Sequence, residues 1–130
     1  MVENLDFKLL INGEVTASSK MEELANILAS LEEKYYEIWL ESSNGSSMMV
    51  LTNNEQAWAM FLRQPEDSGY STRNPNYCGN CDELIDFSLS NGQVDYYPAS
   101  WVFNKSVIID ALIYFYAYNE KSPNVLWHED

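Results

Sequence analysis

The chain has 130 residues, of which 46% are hydrophobic and 14% aromatic, and this predicts one folded domain over residues 1–130 and excludes a disordered chain. Twenty acidic residues against seven basic ones give a formal net charge of −13 at pH 7. A negative field of this size repels nucleic acid and anionic membranes, so we expect neither as a partner. It suits a basic protein partner, or a purely solubilising role.

The first part of the chain predicts a hairpin followed by a helix. Phe7–Ile11 and Val15–Ala17 flank Asn12-Gly13, a dipeptide favoured in type I′ hairpin turns. A capping-box sequence, Ser19 with Glu22, places the start of a helix at about residue 20. Apolar residues then recur at helical spacing and predict the core face of that helix: Met21, Leu24, Ile27, Leu28 and Leu31.

The middle of the chain predicts strands joined in hairpins. Apolar and polar residues alternate through Tyr36–Glu41, and a returning strand, Met48–Leu51, follows a turn at Ser42–Gly45. Trp58–Leu62 fits a strand or a short helix, and a strand is the simpler continuation. Gln64–Asp82 has no regular pattern, and such a long loop in a compact domain is usually functional or mobile.

The last part, Val94–Trp127, is the stretch around which we expect the core to be organised. It predicts a strand, a turn, a strand, a helix, a turn and a short final strand, in that order. The first of these strands closes a hairpin, Leu84–Leu89 with Gln93–Tyr97, across the turn Ser90–Gly92, and Pro98 ends it. The sum is an α+β fold, a mostly antiparallel sheet of hairpins with two main helices packed on it.

The second helix has both ends marked in the sequence. Asn104 is a suitable N-cap, and Pro123 requires the helix to end near Glu120 because proline lacks an N–H and disfavours a helical residue before it. The predicted apolar face is Val107, Ile108, Ala111, Leu112 and Phe115. We also expect a set of aromatic residues to enclose one face of this helix: Tyr96, Tyr97, Trp101, Phe103, Phe115 and Trp127.

Export and membrane insertion are not expected. The N-terminal sequence MVENLDFKLLING has no basic region followed by an apolar core, so no signal peptide is predicted. The best apolar run, Val107–Tyr118, is shorter than the ~20 residues that span a bilayer and is interrupted by Asp110. Two cysteines without an export signal predict the reducing cytoplasm.

Cys78-Gly79-Asn80-Cys81 admits three interpretations: loop cysteines without chemistry, a labile disulfide, or a metal shared with another chain. A structural zinc site needs four ligands, and the only other thiol or imidazole is the distant His128. A thioredoxin-like role needs the pair at the start of a helix, whereas Asp82 and Glu83 lead into a strand here. We favour cysteines without chemistry.

Catalytic signatures are not found in the sequence. No glycine-rich phosphate loop, serine-nucleophile elbow or zinc-deaminase pattern occurs, and no pair of carboxylates, Asp110 included, is singled out. We therefore predict a non-enzymatic protein without catalytic, cofactor-binding or metal-binding residues.

The C-terminal forty residues resemble immunity protein family 1, whose members are found beside bacterial polymorphic and contact-dependent toxins. The resemblance lies in Tyr97-Pro98-Ala99 after an acidic strand, in a helix, Ile108–Tyr118, rich in alanine, leucine and aromatic residues, and in Asn119–Pro123 leading into Val125-Leu126-Trp127. The rest of the chain has a compatible element order. Two features depart from the family pattern: the turn before Pro123 lacks the basic Arg-Pro or Lys-Pro form, and the cysteine pair is unfamiliar.

The resemblance implies a cytoplasmic antitoxin that binds one cognate toxin domain, one to one, and blocks its active site or substrate path. Toxins paired with this family are typically nucleases or nucleic-acid deaminases with basic clefts. No Lys or Arg occurs between Arg73 and Lys105, an interval that holds four acidic residues and three tyrosines, and acidic groups beside tyrosines suit an interface with a cationic protein. The candidate toxin-binding residues are Glu66, Asp67, Tyr70, Tyr77, Asp82, Glu83, Asp86, Asp95 and Tyr96.

Two other classes of function remain open from the sequence. One is an interaction or adaptor module with a partner that is not a toxin. The other is a thiol- or metal-dependent enzyme that uses Cys78 and Cys81.

Overall fold

The structure, a computed structural model, describes residues 6–16, 21–32 and 34–130. Its described residues form a large, mostly antiparallel sheet, two helices on one face of that sheet, and a second, two-stranded sheet on the other face. The predicted α+β class is confirmed. The order of elements is β1 (Phe7–Ile11), β2 (Glu14–Thr16), α1 (Met21–Ala29), β3 (Tyr35–Ser42), β4 (Ser47–Asn53), β5 (Gln56–Leu62), β6 (Tyr70–Arg73), β7 (Leu84–Ser88), β8 (Val94–Pro98), a 3₁₀ turn (Ala99–Trp101), β9 (Phe103–Asn104), α2 (Lys105–Tyr118) and β10 (Leu126–Glu129).

The large sheet is built outward from β4. Its strands lie in the order β10-β6-β5-β4-β3-β1-β2, and β9 adds a short pairing to β5. Every residue of β4 is buried, because Met48 and Val50 face the helices while Met49 and Leu51 face the second sheet. Since side chains alternate along a strand, an apolar run of this kind is stable only between two covering layers.

The core between the sheet and the helices is aliphatic with a phenylalanine cluster at its centre. The ring of Phe115 packs edge-on against Phe7 and Phe61, with ring centroids 5.6 and 5.7 Å apart. This geometry is favourable for aromatic pairs and adds to the burial of their surfaces. The buried residues that the two helices contribute are Leu24, Leu28, Ile108, Ala111, Leu112 and Phe115.

The predicted N-terminal hairpin and first helix are confirmed where the structure describes them. Asn12 and Gly13 adopt positive φ angles of 51° and 82°, as a type I′ turn requires. In α1, Leu24 and Leu28 are buried and Ile27 packs partly against the same core, as does Leu31 just after the end of the helix. Ala17, the capping residue Ser19 and the side chain of Met21 lie outside the described residues.

The predicted ends of α2 are also confirmed. The side chain of Asn104 accepts a hydrogen bond from the backbone N–H of Ser106 at 3.1 Å, and Asn119 ends the helix in the left-handed conformation with a φ of 54°. The predicted apolar face was too wide, however. Val107 is 37% exposed, because the sheet covers only the arc of the helix centred on Ile108 and Leu112.

The second core lies between the other face of the sheet and the hairpin β7–β8. Trp58 is its centre, with ring centroids 4.5 Å from Tyr97 and 5.4 Å from Trp101. The predicted aromatic enclosure of α2 is therefore wrong for three residues: Tyr97 and Trp101 cover the opposite face of the sheet, and Tyr96 points to solvent. It is right for Phe115, Phe103 and Trp127, which belong to the helix-side core.

The interpretation of Gln64–Asp82 as one long loop is wrong. A strand, β6, interrupts it and pairs with both β5 and β10. Its sequence, Tyr-Ser-Thr-Arg, lacks an apolar pattern because its buried hydroxyls are satisfied by hydrogen bonds: Thr72 accepts from Ala59 N–H at 3.2 Å and donates to the carbonyl of Trp101 at 2.9 Å. Trp58–Leu62 lies within a strand, β5, which confirms the prediction of a strand over a short helix.

Replacing Trp58 by alanine is expected to lower the free energy of unfolding by ~3–5 kcal/mol, because the side chain is buried at the centre of the second core. Trp58→Phe is expected to cost much less, since the indole N–H has no hydrogen-bond partner among the described residues. Urea unfolding followed by circular dichroism measures both. Tyr96→Ala serves as the control, because Tyr96 lies on the solvent side of the hairpin β7–β8 that covers Trp58. Its free energy of unfolding is expected to stay within ~0.5 kcal/mol of the parent. An equal loss for Tyr96→Ala would contradict this packing.

Candidate protein-binding surface

The hairpin β7–β8 has two different faces. Its inner face places Ile85, Phe87 and Tyr97 on the sheet. Its outer face exposes three large apolar side chains, Leu84 (56% exposed), Val94 (48%) and Tyr96 (64%). We call the exposed set, together with Asp86 and the adjacent Tyr35, the outer hairpin face. Large apolar groups exposed together in this way are typical of a surface that binds another protein.

A hydrogen-bond network holds the hairpin in place against the sheet. Asn53 donates its side-chain N–H to the backbone carbonyl of Asp86 at 2.9 Å, and the Tyr35 hydroxyl donates to the Asp86 carboxylate at 2.8 Å. The hydrogen bond to Asp86, followed by burial, raises the pKa of Tyr35 above its ordinary value. These bonds fix the one carboxylate that lies in the middle of the outer hairpin face.

The tip of the hairpin is fixed separately, at Glu37 of β3. The backbone N–H of Ser90 and the indole N–H of Trp39 each donate to the Glu37 carboxylate at 2.8 Å. Burial raises the pKa of this carboxyl, but the bonds from Ser90 and Trp39 outweigh it and leave the pKa below its usual value. The hairpin is therefore a preformed surface, which lowers the conformational cost of binding.

The loop before β7 is organised around Tyr77. Its ring folds over Gly79, where an added Cβ would lie 2.4 Å from the Tyr77 oxygen, so a larger residue there would displace the ring. The Tyr77 hydroxyl lies within hydrogen-bonding distance of the Glu83 carboxylate and 2.9 Å from the carbonyl of Asn80. The bond to Glu83 raises the pKa of Tyr77 to about 12. Asp82 is exposed beside this arrangement, and its backbone N–H donates to the side chain of Asn80.

Both cysteines of this loop are exposed free thiols. The sulfur of Cys81 lies 3.9 Å from a carboxylate oxygen of Asp82. In the part of the chain that the structure describes, no three side chains of His, Cys, Asp or Glu come together as a metal site.

The predicted binding residues divide into two groups. Tyr77, Asp82, Glu83, Asp86 and Tyr96 lie on the outer hairpin face or in the loop leading into it. Asp95 belongs to the same hairpin but lies on its inner side, opposite Phe87, where it accepts hydrogen bonds from Gln93 and Tyr97.

The second group lies near the opposite end of β5 and consists of Glu66, Asp67 and Tyr70. These residues follow the last residue of β5, whereas the hairpin is bonded to Asn53, which pairs with the first residue of β5. Asp67 is already paired with Arg63 at 2.8 Å, which holds the pKa of its carboxyl far below the usual range. The ring of Tyr70 is covered by the cations of Arg63 and Lys121, 5.2 and 4.1 Å from its centroid. The structure therefore does not join this group to the hairpin surface.

Three residues of this face were not predicted from the sequence: Leu84, Val94 and Tyr35. A signal for Leu84 was present, however. Leu84, Asp86 and Ser88 alternate with Ile85 and Phe87 along β7, so apolar residues occur on both faces of the hairpin. An apolar residue on the face opposite the core is an indication of a binding surface.

Comparison with known proteins adds no relative: no family model matches the chain, and neither does any curated protein. None of the helices among the described residues is long and apolar enough to cross a membrane.

Glu83→Gln is expected to bring the pKa of Tyr77 down from about 12 toward its ordinary value of 10.0, because a neutral amide favours the protonated phenol less than a carboxylate does. Because the folded-state pKa is raised, the contact stabilises the protein below pH 10.0 and this stabilisation is lost as the pH rises through about 12. The difference in tyrosinate absorbance between the parent and Tyr77→Phe isolates this titration. Asp82→Asn, which leaves the contact intact, is the control, and an unchanged titration in Glu83→Gln would refute the assignment.

Proposed function

We propose that this chain is an immunity protein that binds and neutralises a cognate bacterial toxin domain in the cytoplasm, in a one-to-one complex and without catalysis of its own. The observation that carries the proposal is the outer hairpin face, where exposed Leu84, Val94 and Tyr96 surround a carboxylate. No Lys or Arg occurs in the sequence from residue 74 to residue 104, which includes all of this face except Tyr35. The resemblance of the C-terminal forty residues to immunity protein family 1 supports the choice of a toxin as the partner.

The resemblance implies that the toxin is a nuclease or a nucleic-acid deaminase, and the acidic charge of this chain fits the basic cleft with which such an enzyme binds a polyanion. An acidic surface complementary to that cleft would occupy the substrate path. Opposite charges raise association rates well above the ~10⁵–10⁶ M⁻¹s⁻¹ of uncharged docking. Exposed apolar and tyrosine side chains then slow dissociation, since buried aromatic contacts supply much of the binding energy of interfaces.

The direct test uses the gene next to the one that encodes this chain. The C-terminal domain of its product is expressed with and without this protein, and growth and co-purification are scored. Rescue of growth with a stable one-to-one complex is the expected result. Toxicity without rescue would contradict the pairing and favour a partner of another kind.

Charge reversal of Asp82 and Glu83 to lysine is expected to slow association with the toxin and to make it less sensitive to salt, because these carboxylates lie beside the outer hairpin face. Stopped-flow association at several salt concentrations measures the effect. Glu66→Lys with Glu120→Lys changes the net charge equally at exposed positions outside the hairpin and its loop, and is the matched control. An unchanged salt dependence in the first variant, or an equal change in the control, would place the toxin elsewhere.

A cationic partner that is not a toxin is the second candidate, and the same acidic and apolar face favours it. An adaptor of this kind would bind its partner with similar dependence on salt but would protect cells from no neighbouring toxin.

Cys78→Ser combined with Cys81→Ser is expected to leave both complex formation and rescue of growth unchanged, because neither thiol has a metal-ligating cluster around it in the described structure. Isothermal titration with the toxin domain gives the affinity. Loss of rescue, or stoichiometric zinc in the purified parent protein, would instead support a thiol- or metal-dependent activity.

A further inference from the structure

Two neighbouring depressions cross one end of the large sheet, the end at which the hairpin begins. The first has a volume of about 330 Å³ and lies between the end of α1 and the start of α2. The second has a volume of about 380 Å³ and lies between the turn from β4 to β5, the Tyr77 loop and β9. Glu55 and Asn104 line both, so the two form one interrupted groove. We call it the end groove.

Apolar side chains lie at the floor of both halves of the end groove, beside polar ones in the second half. Leu28, Leu31 and Ile109 line its first half, where they also pack on the helix-side core. Ile85 and Val102 line its second half and belong to the core beneath the hairpin. The groove therefore rests on both cores of the protein, which gives it a firm floor.

Backbone hydrogen bonds fix the middle of the groove. The N–H of Lys105 donates to the carbonyl of Glu55 at 2.7 Å, and β9 pairs with the first residues of β5. Asn54, in the turn, adopts a positive φ of 56°, as asparagine tolerates better than most residues. The side chain of Glu55 is not needed for these bonds and is exposed above the floor.

The charge of the groove is negative. Glu55, Glu83 and Asp110 line it, and among its lining residues the only cation is Lys105. The Tyr77 hydroxyl at its hairpin end is engaged by Glu83, so it adds a polar wall without adding a positive charge. Carboxylates above an apolar floor match the side chains of lysine and arginine, which have an aliphatic stem and a cationic head.

We propose that the end groove binds an extended, basic segment of the partner protein, with the aliphatic stems of lysine or arginine on the apolar floor and the cations at Glu55, Glu83 and Asp110. This inference rests on the proposed function, because it assigns a second contact to the same cationic partner. Glu83 lies both in the groove and directly before Leu84, so the groove continues the outer hairpin face. A partner held on the hairpin can thus extend one segment across the end of the sheet.

The probe for this proposal is a peptide of alternating arginine and alanine, about six residues long, which spans roughly 20 Å when extended. It is titrated into the isotope-labelled full chain and followed by amide chemical shifts. Shifts concentrated at Glu55, Asn104 and Lys105 are expected. A peptide with citrulline in place of arginine, which keeps the shape but lacks the charge, is expected to produce none at the same concentration. Shifts spread evenly over the acidic surface would overturn the proposal.

Glu55→Gln is expected to weaken binding of the arginine peptide by roughly two- to fivefold, as the loss of one partly exposed ion pair does. Glu66→Gln removes the same charge from an exposed turn outside the groove and is expected to change nothing. Equal weakening by the two variants would overturn the proposal, because it would reveal attraction by net charge alone.

Failure of this proposal is distinguishable from failure of the proposed function. In the growth test, Glu55→Gln combined with Asp110→Asn is expected to weaken the toxin complex. If that variant still binds the toxin with the affinity of the parent, the groove proposal falls while the antitoxin function stands. If the parent protects against no toxin, the antitoxin function falls and the peptide titration still decides whether the groove binds a basic segment.

Discussion

The two-sided burial of β4 is the constraint on which the rest of the structure depends. A strand that is apolar on both faces cannot lie at a solvent-exposed face of a sheet, so it needs a covering layer on each side. The helices supply one layer and the hairpin β7–β8 supplies the other. The hairpin is thus required by the core, and its outer face is presented to solvent as a consequence of that requirement.

Most elements could be predicted because their local signals agreed with the packing that followed. The Asn12-Gly13 turn and the Asn104 cap are each marked by a short local sequence pattern, and both formed as expected. What the sequence could not reveal was the layer to which each aromatic residue belongs. Tyr97 and Phe115 are both large aromatic residues in the linear sequence, yet the sheet separates them, and only the pairing of distant strands decides which side each one covers.

The candidate surface was predicted only in part for a similar reason. The sequence shows which acidic residues are near tyrosines, but it does not show which of them form ion pairs. Asp67 is neutralised by Arg63 in its own turn, whereas Asp86 is held by neutral donors and keeps an unpaired negative charge among the described residues. Strand β6 could not be predicted from its sequence because its buried side chains carry hydroxyl groups. Such groups can be buried only where other parts of the fold supply hydrogen-bond partners, as Ala59 and Trp101 do for Thr72.

The hairpin is anchored by one set of residues and exposes another, and this separation affects how the binding surface can change in evolution. The residues that anchor it, Phe87 and Tyr97 on the inner face and Asp86 through its backbone carbonyl, are separate from the apolar side chains that it exposes. Leu84, Val94 and Tyr96 can therefore be exchanged for other residues with little loss of folding stability. Recognition of a new partner can evolve on this face one substitution at a time, while the scaffold that presents it stays unchanged.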